Sequence, residues 1–594
     1  MLKEAMEVFG RSLEKESGRL VLDSHIPKPG TYRLIEMDED EWKIIKTLDL
    51  YFDRKKQEMV GRNDASYLLI RELDYNSKLI VMNKPVDPKK VIHSNNYLSL
   101  AVKKNSISEG KLTREILEKY YEILENPIQK YEKKRKARRL YEEVEQRIGQ
   151  PDLETLNKIK NYVMAHDIWE GIDLDSKDYV KLFFVFPDSG KTRQYYETEN
   201  ERYLIPNIYN SNDFNEEEEE GIKGLPNNNM GMNSKKPFLE NKTRKVKVPY
   251  LLNQEDVLLQ AKFFDYLMGQ VSQGRTNIYI DTDEEEPEIR SYSDTEEPED
   301  MLGGYYFKCR KGKNEAEIIS GAALSNYKSK FDTIFKLKNY MEIPAEIIEK
   351  YPVSKIEKTN IATLWELKSV IDDIFFAGKL KYNFYTEAKD MSINDPVLKR
   401  CILENRDTLA LWFWQGEKNR IETVFDKFSL ELIKNSIRRE RMLLANHQFN
   451  LRWSLLEYLN PERKIGERMK DCRQLLREHM NSDAYTEWEF SSDAEYCYAV
   501  GQAVSYMLSL SKMKNKTDAF INPYLNAKSA DVIKMRLEQL YKKYNHSITH
   551  TNNGRDEQLL SHLMVYEPKQ ILTEYIMAGF TARSLIYEKK NEKQ

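Results

Sequence analysis

Downstream of about residue 346, apolar residues recur every three or four positions and the two-residue alternation of strands disappears. That periodicity constrains the C-terminal part of the chain to helices packed on helices. Its later helices separate by their apolar stripes. One carries Cys497, Val500, Val504, Met507 and Leu508, a second Val532, Ile533, Leu537 and Leu540, and a third Ile571, Leu572, Tyr575, Ile576 and Gly579. Upstream the periods mix. KLIVM at Lys78 to Met82 and DYVKLFFVF at Asp178 to Phe186 read as strands. Thr113 caps a helix carrying Ile116, Leu117, Tyr120, Tyr121 and Leu124, which Pro127 interrupts before a very basic helix, KYEKKRKARRLYEEVEQRIG. Residues 206–345 are richer in loops, with a strand TNIYID and a hairpin about Gly312. The expected fold class is α+β, a mixed α/β N-terminal part followed by an all-α C-terminal helical bundle. Expected divisions are 1–205, a loop-rich region 206–345, a helical region 346–460 and a bundle 461–594.

A chain of 594 residues exceeds what one hydrophobic core usually serves, so several domains are expected. Cys309, Cys401, Cys472 and Cys497 lie far apart with no CxxC pair, which points to neither a disulfide framework nor a zinc ribbon and suits a reducing cytoplasm. The first residues show no apolar signal region, and no apolar run reaches the ~18 residues of a spanning helix. A cytoplasmic protein with no membrane partner is expected. The formal net charge of −4 sums 93 basic against 97 acidic residues held in separate blocks, and local fields decide partners more than the sum. Glu216 to Glu220 and the acidic stretch 281–300 read as solvated loops.

Enzyme motifs fail on specific positions. PDSGKT at Pro187 to Thr192 ends like a phosphate-binding loop, but the glycine that motif needs five positions before Gly190 is Val185, and the bland reading is a strand-to-loop turn. Pro187-Asp188 with Glu197 or Glu199 lacks the lysine that would complete a nuclease's metal-binding pattern. His546 and His550 stand at i, i+4, yet no Glu follows His546 and the surroundings read as a helix end. No catalytic residue, metal ligand or cofactor is assigned.

The most unusual stretch is GLPNNNMGMNSKKPFLENKTRKVKVPYLLN, Gly224 to Asn253. Asn227, Asn228, Asn229 and Asn233 offer a donor and an acceptor at short reach, suited to base edges. Lys235, Lys236, Lys242, Arg244, Lys245 and Lys247 supply sequence-independent phosphate affinity. Two further runs are candidate contacts to a nucleic-acid backbone. Lys130, Lys133, Lys134, Arg135, Lys136, Arg138 and Arg139 spread charge along one helix, with Glu142, Glu143 and Glu145 as competing partners, and Arg438, Arg439 and Arg441 form the other. Trp412, Phe413 and Trp414 suit base stacking or, more simply, core packing.

The NNNMGMN core, its KKPFLENKTRKVKVPYLLN continuation, FFDYL at Phe263 to Leu267 and VKLFFVF together resemble the large subunits of type I-B CRISPR interference complexes. The poorest match is the acidic stretch 281–300, and the isolated cysteines depart from the metal-binding element of some members. The resemblance implies a non-catalytic subunit seated at the 5′ handle of a guide RNA beside backbone subunits. Such a subunit contacts the protospacer-adjacent motif, helps open duplex DNA, stabilises the R-loop and recruits a separate helicase-nuclease. It also implies that some members release their final bundle as a small subunit translated from an internal start, the alternative being a bundle that stays covalently attached. Met469, after Gly466-Glu467-Arg468, is the first choice of start, and Met442, after Arg438-Arg439-Glu440-Arg441, the second. The alternatives are a metal-dependent nuclease with scattered acids, and a pure scaffold touching only protein and guide RNA.

Overall fold

The structure, a computed structural model, describes residues 1–38, 41–53, 58–77, 84–132, 135–210, 212–218, 221–226, 251–282, 288–312, 315–354, 359–482, 487–511, 521–548 and 554–588. The chain is α+β and divides into two units. One comprises Met1–Glu296 with Gly303–Ala323, the other Glu297–Leu302 with Leu324–Gln594. Positions 205, 345 and 460 fall inside these units.

The first unit is built on a five-stranded sheet of β1 (Gly30–Asp38), β2 (Glu41–Asp53), β3 (Glu58–Val60), β4 (Ser99–Lys103) and β5 (Tyr179–Val185), ordered β3-β2-β1-β5-β4. The central pair β1 and β5 is parallel, and the other pairings are antiparallel. The apolar run VKLFFV forms β5 because both faces are covered, with Val180, Leu182, Phe183, Phe184 and Val185 all buried. Helices α1 (Leu2–Lys15), α2 (Tyr67–Asn76), α3 (Arg114–Glu125), α4 (Arg135–Ile148), α5 (Leu153–Ala165) and α6 (Ser189–Leu204) belong to the same unit. Thr113 accepts from the Ile116 N–H as the N-cap of α3, and Tyr120, Leu156, Ile159 and Tyr196 join the strand residues in one core.

A polar seam crosses that core. Lys181 of β5 donates to Asp74 of α2, whose second oxygen lies 2.8 Å from His25 Nε2, and the Lys181 and Asp74 side chains are 3% and 4% exposed. Burial alone would raise Asp74, but Lys181 and then the His25 bond outweigh it and hold the carboxyl down to about 2.

After the two-stranded β6 (Glu216–Glu218) and β7 (Gly221–Lys223) comes α7 (Gln254–Ser272), which carries FFDYL. Phe263 and Leu267 pack with Phe9 of α1 and with Ile278 and Phe307 of a second sheet. That sheet holds β8 (Asn277–Asp281), β9 (Ile289–Tyr292), β10 (Gly304–Lys311) and β11 (Ala316–Leu324) in the order β11-β10-β8-β9. The expected strand TNIYID is β8, and the expected hairpin is β10–β11, with Gly312 N–H donating to the Glu315 carbonyl at 2.9 Å. Residues 78–82, read as a strand, lie outside the described residues.

The second unit is a helical assembly with one strand pair, β12 (Lys330–Lys336) and β13 (Asn360–Thr363). Beyond 346 the described residues are almost wholly helical, as expected, and β13, four residues long, is a strand that no local alternation announces. The helices are α8 (Leu364–Phe376), α9 (Pro396–Gln415), α10 (Ile421–Arg438), α11 (Met442–Leu459), α12 (Ile465–Asn481), α13 (Asp493–Ser509), α14 (Ala530–Tyr544), α15 (Arg555–Val565) and α16 (Thr573–Thr581). The stripe Cys497, Val500, Val504, Met507 and Leu508 is buried on α13, whereas Val532 of the second stripe is exposed while Ile533, Leu537 and Leu540 are buried. Helices α13 and α16 touch backbone to backbone. A Cβ at Gly501 would collide with the Ile576 carbonyl and one at Gly579 with that of Tyr498, and Gln502 donates to the Gly579 carbonyl at 2.5 Å. Arg452 of α11 is buried between Asp426 of α10 and Glu574 of α16, with Trp453 donating to Glu574 at 2.6 Å.

Candidate nucleic-acid interface

Asn227, Asn228, Asn229, Asn233, Lys235, Lys236, Lys242, Arg244, Lys245 and Lys247 lie outside the described residues. What the structure describes is the base from which their segment issues. Gly224 and Leu252 exchange backbone hydrogen bonds in both directions at 2.9 Å, Asn210 N–H donates to the Leu225 carbonyl at 2.8 Å, and Tyr209 bridges to Pro226. The Tyr209 hydroxyl donates to the Ile222 carbonyl at 2.6 Å, and burial pushes its pKa up to about 12. A Cβ at position 224 would run into the Tyr209 ring and Asn215 Oδ1, so this close approach requires glycine. On the far side Asn253 caps α7, accepting from the Asp256 N–H at 2.7 Å. A small core of Leu140, Ile208, Tyr209, Ile222 and Val257 holds the two ends together.

Leu140 belongs to α4, the basic helix, so the fold joins two segments that stand about a hundred positions apart in the chain. Lys136 donates to the Asn215 carbonyl, which ties α4 to the turn before β6. Arg138 pairs with Glu142 at 2.8 Å, and Arg139 with Glu143 at 3.2 Å and Glu217 at 2.8 Å. Arg135 is exposed without an ion pair among the described residues. Lys133 and Lys134 lie outside them. Lys130 donates to the Lys84 carbonyl at 3.3 Å, and a cleft of about 480 Å³ opens here between Lys84, Gln129, Lys130, Tyr131 and Asn207. The Arg138 and Arg139 pairs are half exposed, the kind worth about 0.2–1 kcal/mol each and readily exchanged for phosphate.

The second basic run closes α10. Arg438 and Arg441 are exposed without ion pairs among the described residues. Arg439 Nε lies 2.9 Å from Asp395, and Glu440 makes the turn in the left-handed region.

Other sequence candidates resolve into structure. Trp412, Phe413 and Trp414 are each 1% exposed, with Trp414 edge-on to Phe384 at 4.6 Å, which is core packing. PDSGKT is a strand-to-helix junction, correcting the strand-to-loop reading. Asp188 caps α6 by accepting from Gly190 N–H at 2.8 Å, and the buried Thr192 hydroxyl takes the Phe186 N–H at 2.9 Å. Glu199 is buried against Arg202. His546 sits in a short 3-10 turn, Asn545–Ser547, and His550 lies outside the described residues. The four cysteines are buried free thiols that burial pushes up to about 11 to 12.

Among the described residues no cluster of three metal-ligating side chains occurs, and no helix is long and apolar enough to cross a membrane. Sequence reasoning missed Tyr209, Asn215 and Leu252, which position the candidate segment, because their partners lie far along the chain. No protein-family model, no curated protein and no solved structure matches the chain.

Proposed function

We propose that the chain is the non-catalytic large subunit of a type I-B CRISPR interference complex working in the cytoplasm. One observation carries the reading. The reciprocal Gly224–Leu252 bonds hold both ends of the Asn/Lys segment beside the basic helix α4. This supports the reading because the segment that carries asparagines able to read base edges and lysines able to hold phosphates has its two ends beside Arg135, Arg138 and Arg139 of α4. In this reading the segment contacts the protospacer-adjacent motif of duplex DNA, α4 holds the flanking backbone, and Arg438, Arg439 and Arg441 steady the displaced strand. Base pairing with the guide RNA supplies specificity along the rest of the target. The partners are the guide RNA, the backbone subunits that carry it, the target duplex and a separate helicase-nuclease that cuts.

The test is reconstitution on guide RNA and backbone subunits, with duplex binding titrated across every flanking motif. Motif discrimination is expected only when the chain is present. Equal binding with and without it overturns the proposal, and nicking of duplex by the purified chain with magnesium or manganese replaces it with the nuclease reading.

A further inference from the structure

One end of the five-stranded sheet gathers lysines from distant parts of the chain. Gly30 of β1 and Lys103 of β4 both pair with Tyr179, the first residue of β5. The Tyr179 hydroxyl is 2.8 Å from His93 Nδ1, and His93 Nε2 is 3.1 Å from the Lys90 carbonyl, with Lys90 itself in the left-handed region. Lys28 stands two residues before β1 and Lys177 two residues before β5. Lys28, Lys90, Lys103 and Lys177 are exposed, and none has an ion pair or side-chain hydrogen bond among the described residues.

Two of the neighbouring acids, Asp87 and Asp74, are bound within the fold, and a third, Asp178, is exposed. Asp87 accepts three backbone N–H groups, from Lys89, Val91 and Ile92, Asp74 is bound to Lys181, and Asp178 takes the Ser176 hydroxyl at 3.3 Å. Crowding by protein and the like charges of Lys181 and Lys311 lower the Lys28 ammonium, and burial, with Lys103 and Lys28 adding to it, lowers His93. At the same end of the sheet, just past the Gly30–Leu50 pair, Tyr51 and Phe52 of β2 are 50% and 48% exposed. From β2 to β4 is three strand steps, about 14 Å.

We infer that this sheet end is a binding site for single-stranded RNA, with Lys28, Lys90, Lys103 and Lys177 holding successive phosphates and Tyr51 or Phe52 stacking a base. Lysines here are point charges without the bidentate fork of arginine, so they grip backbone, not sequence. Exposed rings fit a strand with unpaired bases better than a closed duplex. Exposed lysines without ion pairs among the described residues can each take a phosphate without first giving up a partner. The inference rests on the subunit reading, in which that resident is the guide RNA.

The test uses the full chain with fluorescein-labelled ten-residue oligouridylate and, in parallel, oligothymidylate. Replacing Lys28→Gln, Lys90→Gln and Lys103→Gln together is expected to weaken RNA binding at least tenfold. The slope of log affinity against log salt should fall by about 0.7 per lysine. Phe52→Ala with Tyr51→Ala should weaken it without changing the slope. The unfolding midpoint of the triple variant should hold, because the removed charges have no partners. RNA binding with unchanged affinity and slope in the triple variant overturns the site while leaving the subunit reading intact. Equal losses for RNA and DNA overturn the assignment to RNA. If the wild-type chain binds neither oligonucleotide, while its reconstituted complex still discriminates flanking motifs, the site alone is wrong.

Discussion

Gly224 and Leu252 are joined by two backbone hydrogen bonds of 2.9 Å, so these two positions cannot separate without breaking both. Gly224→Ala tests that closure. Its Cβ meets the Tyr209 ring and Asn215 Oδ1, an overpacking that costs about 1–3 kcal/mol. The expected result is a lower urea midpoint for the first unit and weaker duplex binding, with the second unit unfolding as before. An unchanged midpoint would show that the base yields without strain.

Asn227→Ala, Asn228→Ala and Asn229→Ala together should leave assembly on guide RNA intact and narrow the gap between correct and incorrect flanking motifs. Each lost base-edge contact is worth on the order of 1–3 kcal/mol. A titration in which discrimination survives intact removes these residues from motif reading.

Neutralising Lys235, Lys236, Lys242 and Arg244 should act differently. All duplexes should weaken alike, and the slope of log affinity against log salt should fall by about 0.9 for each phosphate contact removed. A slope that does not move means that these side chains face solvent.

Local signals made several elements legible. The uninterrupted apolar run became β5 because its chemistry demands two covered faces, Thr113 capped α3 as its hydroxyl allows, and Gly312 turned a hairpin. Juxtapositions were not legible. Nothing near Gly224 announces Leu252 or Tyr209, β12 and β13 pair across a loop, and Lys28, Lys90, Lys103 and Lys177 form no charge run until strand pairing aligns them. The asparagines and lysines themselves lie outside the described residues, so their candidacy stands on residue type and on the base that holds their segment.

Asp74 sets an acid limit on the first unit. Its carboxyl is held to about 2 against an ordinary 3.8, so the folded state binds the proton less readily than the unfolded state. A depressed carboxyl contributes stability above the unfolded value and loses it as pH falls, here between about pH 4 and 2, and the contribution is about 2 kcal/mol. Asp74→Asn should flatten that dependence and, by leaving Lys181 buried without a counter-ion, cost about 3–5 kcal/mol at neutral pH. Urea unfolding of both proteins across this range checks the sign. A first unit whose stability rises on acidification would contradict it.

The last prediction concerns the internal start, and helix packing argues for Met442 over Met469 as the start of a fragment that folds. Met469 lies within α12, 2% exposed, four residues past the helix's first residue, Ile465. A fragment beginning there would lack α11 and with it Arg452 and Trp453, the partners of Glu574. Met442 is the first residue of α11. A fragment from Met442 keeps the whole helix, the 2.8 Å Arg452–Glu574 pair and the Asn446 donation to the Thr581 carbonyl, and gives up the bonds of Arg452 to Asp426 and Ser429 and those of Gln448 and Asn450 to Ile374 and Asn339. If the native gene yields a short product, it is therefore expected to run from Met442 to residue 594. Expression with a C-terminal tag, followed by mass measurement of any short product, decides the matter. Loss of that product on replacing the Met442 codon, and its persistence on replacing Met469, is the expected pattern. The reverse pattern would mean that the bundle tolerates an unpaired Glu574, and full-length protein alone would mean that α11 to α16 serve only as part of the parent chain.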